Sequence, residues 1–459
     1  MKKKLLLALP VVASVAGASW AGSTYYSSSE SRSAYERILS DLTESTGLSF
    51  VTTSYTEGFM ESEAITEIRA SSEPDASVIA RLRHNIEHSP EGTSTKSGIS
   101  AARVLTTFIT EDIEDEAFQE LLGGFGSEAP VIMRSSIGFN GIVSNELVVA
   151  AYNSDISDDM TLSSDGAVWN FDVDENGSMA GSGSWSGLKL TGPELNVTVS
   201  PSVDSFNYTR HAPAVYSGGY EFKLSEVIIN SPMSGINFGA RDLGISSSAD
   251  VEGGLLSSDY TFWVNDIDAP IALDSAKITG RAGGIDISTL EDARNIAMKA
   301  QLSDVDGLSE DEFNDLALEL VSAYGEMIQP GAYLGYEVSL GNAGGKADAD
   351  ITLTFEGDGS PSGYDLLTSP SATMADLLRA VRVDANMDAS NDALALTPAG
   401  MFLDPAMLSP WVVDNVDTLS SKIVLDELII DANGESIALE MMLGDALYEP
   451  LELDKLLSL

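Results

Sequence analysis

Cysteine is absent from the 459-residue chain. Its absence excludes a disulfide framework, a thiolate metal site, a cysteine nucleophile and the lipidated cysteine of a lipoprotein. The fold must therefore be stabilised by its core, and a chain of this length is long enough to bury a large one.

Basic residues are scarce in this chain, and acidic residues dominate. There are 24 lysine and arginine residues against 71 aspartate and glutamate residues, which gives a net charge of −47 at pH 7. Nucleic acid requires a neutralising basic surface, so we expect no nucleic-acid partner. The hydrophobic content is 43%, which indicates an acidic surface over an ordinary core rather than disorder.

The acidic residues are spread along the chain rather than gathered in one tail. This pattern favours a protein exposed to high salt, because ions screen the repulsion between like charges. A halophilic or marine habitat is one hypothesis, and an acidic surface without salt adaptation is the alternative.

The N-terminus is the one basic and strongly apolar part of the chain. Lys2, Lys3 and Lys4 precede an uncharged run over residues 5–26, as in a secretory signal peptide or a signal anchor. The run has 22 residues, and a bilayer core needs roughly 20. Alternatively, residues 16–18 (Ala-Gly-Ala) fit a cleavage site. We expect a periplasmic body anchored in the bacterial inner membrane by this segment, with cleavage as the open alternative.

The rest of the chain predicts an α+β fold that is mainly β, with large twisted antiparallel sheets and a few interspersed helices after the N-terminal membrane segment. Helices are predicted over 31–46, 111–122, 289–302, 310–326 and 374–381. Strands are predicted over 48–55, around 64–68, and over 78–86, 132–151, 167–174, 178–190, 195–199, 220–229, 236–245, 260–267, 271–279, 333–340 and 347–355.

Four segments follow from these patterns. The signal segment covers 1–26, and an N-terminal α+β region covers 27–130. A β-rich central region covers 131–356, with a helical hairpin near 289–327. A C-terminal α+β region covers 357–459, packs on the same body and begins with a glycine- and serine-rich loop over 357–363.

Two short motifs carry a family resemblance. Tyr55, Gly58 and Ser62 stand in the spacing Tyr-x-x-Gly-x-x-x-Ser, and His88 and Pro90 follow as His-Ser-Pro. With the lysine-led start, these motifs resemble the YdgA-like family of bacterial envelope proteins of unknown function. The resemblance supplies no active site, so we interpret the five residues as a structural motif. In this interpretation Gly58 supplies a backbone conformation and Tyr55 packs over the turn.

Several patterns imitate metal sites. Asp172, Asp174 and Asn176 copy the start of an EF-hand loop, but Gly183 stands where the last ligand belongs. His84 and His88 lie about 13 Å apart on a strand, too far to share one zinc ion. We therefore predict no metal, no cofactor and no identifiable catalytic residue.

Two classes of function remain. The first is a non-enzymatic exported envelope protein that binds a protein partner or an apolar ligand, such as a lipid, in the periplasm. The second is a periplasmic carboxylate-dependent hydrolase with an unidentified site. The absence of a recognisable catalytic constellation favours the first class.

The charge balance generates one prediction. Thermal midpoints measured from about 0.1 M to 2 M potassium chloride should rise, because ions screen the repulsion between the excess negative charges. Sulfate serves as a comparison, because sulfate also strengthens apolar burial. A flat or falling trend in chloride would contradict the high-salt hypothesis.

Overall fold

The structure is a computed structural model of the chain. It describes residues 39, 43, 48–58, 61–69, 78–88, 91–92, 99–109, 122–127, 129–138, 140, 142–157, 159–212, 215–268, 273–302, 317–319, 322–323, 325–327, 329–342, 345–355, 381–390, 418–424, 438–439, 441–443, 446–447 and 451–452.

The described chain is mainly β, as the sequence predicts, and its backbone groups into two compact units. Unit 1 comprises Met1–Ile236 with Met298–Gly307, and unit 2 comprises Asn237–Ala297 with Leu308–Leu459. The division falls near residue 236, whereas the predicted segments change at residues 130 and 356. Those segment boundaries stay predictions.

Unit 1 is built from antiparallel strands that mostly pair with their neighbours in sequence. The pairing order is β1-β2-β3-β5-β6-β7-β10-β11-β14-β15, with β4 on β5, and a second run, β8-β9-β12-β13-β15, joins the same strand β15. The strands are β1 (Ser49–Thr56), β2 (Glu61–Arg69), β3 (Val78–Glu87), β4 (Glu91–Gly92), β5 (Ile99–Phe108), β6 (Val131–Gly138), β7 (Val143–Val149), β8 (Tyr152–Ser157), β9 (Met160–Ser164), β10 (Ala167–Val173), β11 (Met179–Trp185), β12 (Leu188–Thr191), β13 (Asn196–Val199), β14 (Ser202–Ala212) and β15 (Val215–Ser231).

The core of unit 1 lies on one face of this sheet. Side chains alternate between faces along a strand, and the buried set includes Leu82, Met133 and Leu147, with the helical residue Leu39 in the same cluster. The alternation predicted for β3 holds from Ala80 to Ile86. Val78 is exposed instead, because the register with β2 shifts between Ile68 and Arg69.

In unit 1 four connections between strands lie side by side, at residues 150–151, 165–166, 186–187 and 200–201. The strand pairing is interrupted along this row, which we call the break line. On one side β7, β10, β11 and β14 pair in sequence, and on the other side β8, β9, β12 and β13 do so. Gly166 and Gly187 lie on this line with φ of 91° and 86°. Serine hydroxyls bind backbone groups there, for example Ser164 Oγ to the carbonyl of Gly187 at 2.7 Å.

The break line and one turn divide two of the predicted strands. The predicted strand 178–190 is divided at Gly187, where positive φ interrupts the ladder. The predicted strand 132–151 is wrong as a single element, because a turn separates β6 from β7. In that turn the Ile142 N–H donates to Asn140 Oδ1 at 3.2 Å.

Unit 2 holds an antiparallel meander in the order β16-β17-β18-β19-β20-β21-β22-β24-β25, with a separate pair β23-β26. Helix α1 (Ile287–Leu302) follows β18 directly. The strands are β16 (Ile236–Glu252), β17 (Leu255–Asp268), β18 (Ser275–Asp286), β19 (Tyr333–Asn342), β20 (Gly345–Phe355), β21 (Val381–Ser390), β22 (Thr418–Val424), β23 (Ala438–Leu439), β24 (Met441–Leu443), β25 (Ala446–Leu447) and β26 (Leu451–Glu452).

The helix predictions have mixed outcomes. The helix predicted over 289–302 is confirmed as α1, whose N-terminus is capped by Asp286 Oδ1 accepting the N–H of Ser288 at 3.0 Å. Residues 317–319, 322–323 and 325–327 are helical, in agreement with the second half of the predicted hairpin. Val381 begins a strand rather than ending a helix.

Several predicted elements lie wholly or mainly outside the described residues. They are the segment 1–26, most of the helices 31–46 and 111–122, residues 374–380 and the loop 357–363. Within the described part of the chain, no helix has both the length and the apolar character needed to cross a membrane.

The break line yields a stability prediction. Gly187→Ala places a methyl group against the carbonyl oxygen of Val199 and also forces alanine into positive φ. Gly253→Ala has the same φ problem, with φ of 62°, but no atom within 4 Å of the new Cβ. We expect Gly253→Ala to cost about 1 kcal/mol and Gly187→Ala to cost clearly more in urea unfolding. Equal costs would show that the break line tolerates a side chain.

Candidate functional site

The two family motifs meet at the start of the sheet in unit 1. The backbone N–H of Gly58 donates to Ser62 Oγ at 3.3 Å, and Ser62 Oγ lies 2.9 Å from His88 Nε2. Through these two contacts the Ser62 hydroxyl links the β1–β2 turn at Gly58 to His88 at the end of β3. Ser62 itself is buried, with 4% exposure. Tyr55 pairs with Ala64 across the hairpin and packs against the unit 1 core. Pro90 lies outside the described residues.

The backbone of Gly58 is not in a conformation that only glycine adopts readily. Gly58 is not among the described glycines with positive φ. A Cβ at this position would instead overlap the backbone carbonyl oxygen of Glu61. The reason for glycine here is therefore the close approach of two backbone segments between β1 and β2.

His84 occupies the core beside this motif. It is fully buried, with Nε2 3.1 Å from Thr66 Oγ1 and Nδ1 2.9 Å from Thr106 Oγ1. Burial lowers the pKa of His84 from 6.5 to about 4, so the imidazole is neutral at pH 7. Both ring nitrogens face threonine hydroxyls, which makes His84 a satisfied core residue.

The calcium-like loop is a hairpin turn between β10 and β11. Asp174 Oδ1 accepts the backbone N–H groups of Asn176 and Ser178, each at 2.9 Å, and Gly177 has a φ of 83°. Asp172 accepts a hydrogen bond from Ser144 Oγ at 2.7 Å. These carboxylates satisfy protein donors, and no metal-binding group of acidic and histidine side chains occurs among the described residues.

Glu67 is the buried carboxylate of the described chain. It contacts Arg69 Nη2 at 2.7 Å and Arg81 Nε at 2.9 Å. Burial alone would raise the pKa of Glu67, but the hydrogen bonds and charges of the two arginines together outweigh it and lower the pKa. Such a carboxylate stays ionised, which does not suit a general acid.

The most unusual surface is one face of the sheet in unit 2, which we call the apolar face. Strand register places Phe262 beside Ile278, and Ile278 beside Val338. The apolar face has no charged side chain across β17 to β20. Its members on these strands are Val264, Phe262, Tyr260 and Ser258, then Ala276, Ile278, Gly280 and Ala282, then Leu340, Val338, Tyr336 and Leu334, and finally Ala347, Ala349, Ile351 and Leu353.

Most of this apolar face is exposed, although its members Val264 and Ala347 are buried. Large contiguous apolar patches are uncommon on soluble monomers. Tyr260 is 61% exposed and Tyr336 is 49% exposed, and several neighbours exceed a third. The opposite face carries polar groups, such as Thr279, which is buried and lies 3.0 Å from Thr261 through their hydroxyl oxygens. Alternation in the sequence shows that the two faces differ, but it does not show which face is exposed.

Two small residues of β18, Gly280 and Ala282, lie between larger side chains on the apolar face, and we call this short stretch the β18 groove. Gly280 and Ala282 form its floor, because they lack large side chains. Tyr260 and Tyr336 are the register partners of Gly280 on either side and form its walls. Neighbouring strands lie about 4.8 Å apart, so the backbones of β17 and β19 stand roughly 10 Å apart. The Tyr336 ring leans toward Gly280, where a Cβ would lie 3.6 Å from it.

Comparison with known proteins gives one match. The model of a family described as "Bacterial protein of unknown function (DUF945)" matches residues 1–406. Neither the curated proteins nor the solved structures contain a match.

The burial of His84 predicts a pH-dependent stability. Its pKa is about 4 in the folded protein, against the ordinary histidine value of 6.5, so the unfolded chain binds the extra proton between these values. The free energy of unfolding should therefore increase as pH rises from about 4 to 6.5, with His84 supplying roughly 3 kcal/mol across that window.

His84→Gln tests this prediction, because glutamine keeps a donor and an acceptor for the two threonines but does not titrate. Urea unfolding at intervals of pH should give a shallower slope for His84→Gln than for the native chain. Identical slopes would show that His84 is not held neutral in the core.

Proposed function

The chain belongs to this bacterial family of unknown function, and we propose that it is a non-enzymatic envelope protein that holds the acyl chain of a lipid on its apolar face. The observation that carries the proposal is the exposure of that face. The lysine-led apolar N-terminus supports the location proposed for the protein, a periplasmic body anchored at the inner membrane and therefore close to membrane lipids. The family match is compatible with the YdgA-like resemblance, which stays a prediction.

The size of the apolar face supports a binding role. Ile245 on β16 pairs with Phe262 and extends the apolar face. With it, eight large side chains of the face are more than a third exposed: Ile245, Tyr260, Phe262, Ile278, Leu334, Tyr336, Ile351 and Leu353. With roughly 200 Å² for each fully exposed large side chain, their area is on the order of 700 Å². The largest apolar patch on a typical soluble monomer is about 300–600 Å².

The β18 groove favours an acyl chain as the occupant. Its floor of Gly280 and Ala282 has no large side chain and is bordered by tyrosines on two strands whose backbones are roughly 10 Å apart. Each methylene transferred from water to such a surface contributes about 0.8 kcal/mol. An acyl chain therefore gains affinity with every methylene that it places against the apolar face.

Charge argues against a second copy of the protein as the occupant. Two chains of net charge −47 repel each other, and the apolar face has no cation to offset that repulsion. An acyl chain is uncharged, and a lipid with a neutral or zwitterionic headgroup avoids the same repulsion. The expected occupant is therefore a neutral or zwitterionic lipid such as phosphatidylethanolamine.

The described side chains also support a non-enzymatic role. Glu67 is held by two arginines, so it is not placed to act as a general acid. The carboxylate-dependent hydrolase stays the alternative prediction.

Site-specific photo-crosslinking in living cells tests the proposal. Benzoylphenylalanine replaces Tyr336 in the full-length protein, and the matched control replaces Glu337, the next residue on β19 and on the opposite face. We expect phospholipid labelled with radioactive phosphate to attach at position 336 and not at 337. Protein adducts alone at 336, or equal lipid labelling at both positions, would contradict the proposal.

A groove-filling variant gives the same test a second arm. Gly280→Leu adds a side chain to the groove floor, where the new Cβ would lie 3.6 Å from the Tyr336 ring. We expect lipid labelling at position 336 to fall several-fold, whereas Gly239→Leu on β16, outside the groove, should leave it unchanged. Undiminished labelling with Gly280→Leu would place the lipid elsewhere.

A further inference from the structure

Unit 1 carries a second surface, a concavity of about 1520 Å³ on the face opposite its core. We call it the polar groove. Register brings Asn85, Arg134 and Asn170 into one row across the sheet, although 85 positions separate the first from the last in sequence. The next row contains Arg103 and Ser136. Amide, hydroxyl and guanidinium groups thus repeat at strand spacing, about 4.8 Å.

Part of this polar set is held in place by the protein. Arg134 Nη1 donates to Glu146 Oε2 at 2.7 Å, and Ser144 Oγ donates to Asp172 Oδ1 at 2.7 Å. The Ser136 hydroxyl differs, because its oxygen is buried and has no hydrogen-bond partner in the structure. A buried hydroxyl without a partner is uncommon in native proteins, and Ser136 is among the residues that line the polar groove.

We propose that the polar groove binds an uncharged, hydroxyl-rich glycan chain. Five carboxylates and two guanidinium groups line it, so its charge repels anionic polymers. Leu105 stands in register between Asn85 and Arg134 and is 37% exposed. It offers an apolar contact for the C–H face of a sugar ring between hydrogen-bonding side chains.

The backbone argues against an extended peptide as the ligand. Peptides that add to a sheet pair with an exposed edge strand. The polar groove lies over β2, β3, β5, β6, β7, β10, β11 and β14, each of which is paired on both sides, and it reaches β1 only at Thr56. A ligand there must bind through side chains alone, which suits the dense hydroxyl groups of a glycan.

Titration calorimetry of the full-length protein with maltohexaose, cellohexaose and chitohexaose tests this inference. At least one of these neutral chains should bind. Asn170→Ala should weaken that binding about tenfold, as expected for lost hydrogen bonds. Asn153→Ala is the matched control, because Asn153 is an exposed asparagine on β8 that does not line the groove.

Three results would overturn the inference. The first is no binding of any of the three glycans. The second is glycan binding that Asn170→Ala leaves unchanged while circular dichroism shows an intact fold. The third is an extended neutral peptide that binds with the same dependence on Asn170. Because Asn170 is exposed, the alanine variant is expected to fold.

Discussion

Antiparallel backbone pairing is the constraint on which the rest of this protein depends. Each strand's hydrogen-bond register decides, residue by residue, which side chains share a face. In unit 1 the register gathers Met133 and Leu147 on a buried face. In unit 2 it gathers Tyr260 and Tyr336 around Gly280 on an exposed one. A shift of one residue would exchange the faces and abolish both proposed binding surfaces.

Much of the strand pattern can be predicted from the sequence, because alternation and turn residues are local signals. The hairpin turn at Asp174 and Gly177 has the predicted form, with the carboxylate accepting turn N–H groups and glycine at positive φ. The apolar pattern over 132–151 does not reveal that this stretch forms two strands, although Asn140 followed by glycine is a turn signal between them. The steric reason for Gly58 also needed the structure, since backbone approach leaves no trace in composition.

The candidate sites could not be predicted in the same way. The polar groove draws Asn85 and Asn170 from strands separated by several others, and pairing order is not a local property. For the apolar face, alternation identifies Tyr260, Phe262 and Val264 as one set but does not show whether another element covers them. The two family motifs were visible, yet their meeting through Ser62 and His88 depends on register.

Contact between the apolar face and lipid chains is the central claim, and fluorescence quenching measures it most directly. The chain has no cysteine, so Ile351→Cys and Thr352→Cys each provide one dye attachment site on opposite faces of β20. The full-length protein is placed in phosphatidylethanolamine vesicles with brominated acyl chains, which quench on contact. The account predicts strong quenching of the dye at position 351 and little at 352. Equal quenching at both positions, or none at 351, would contradict it.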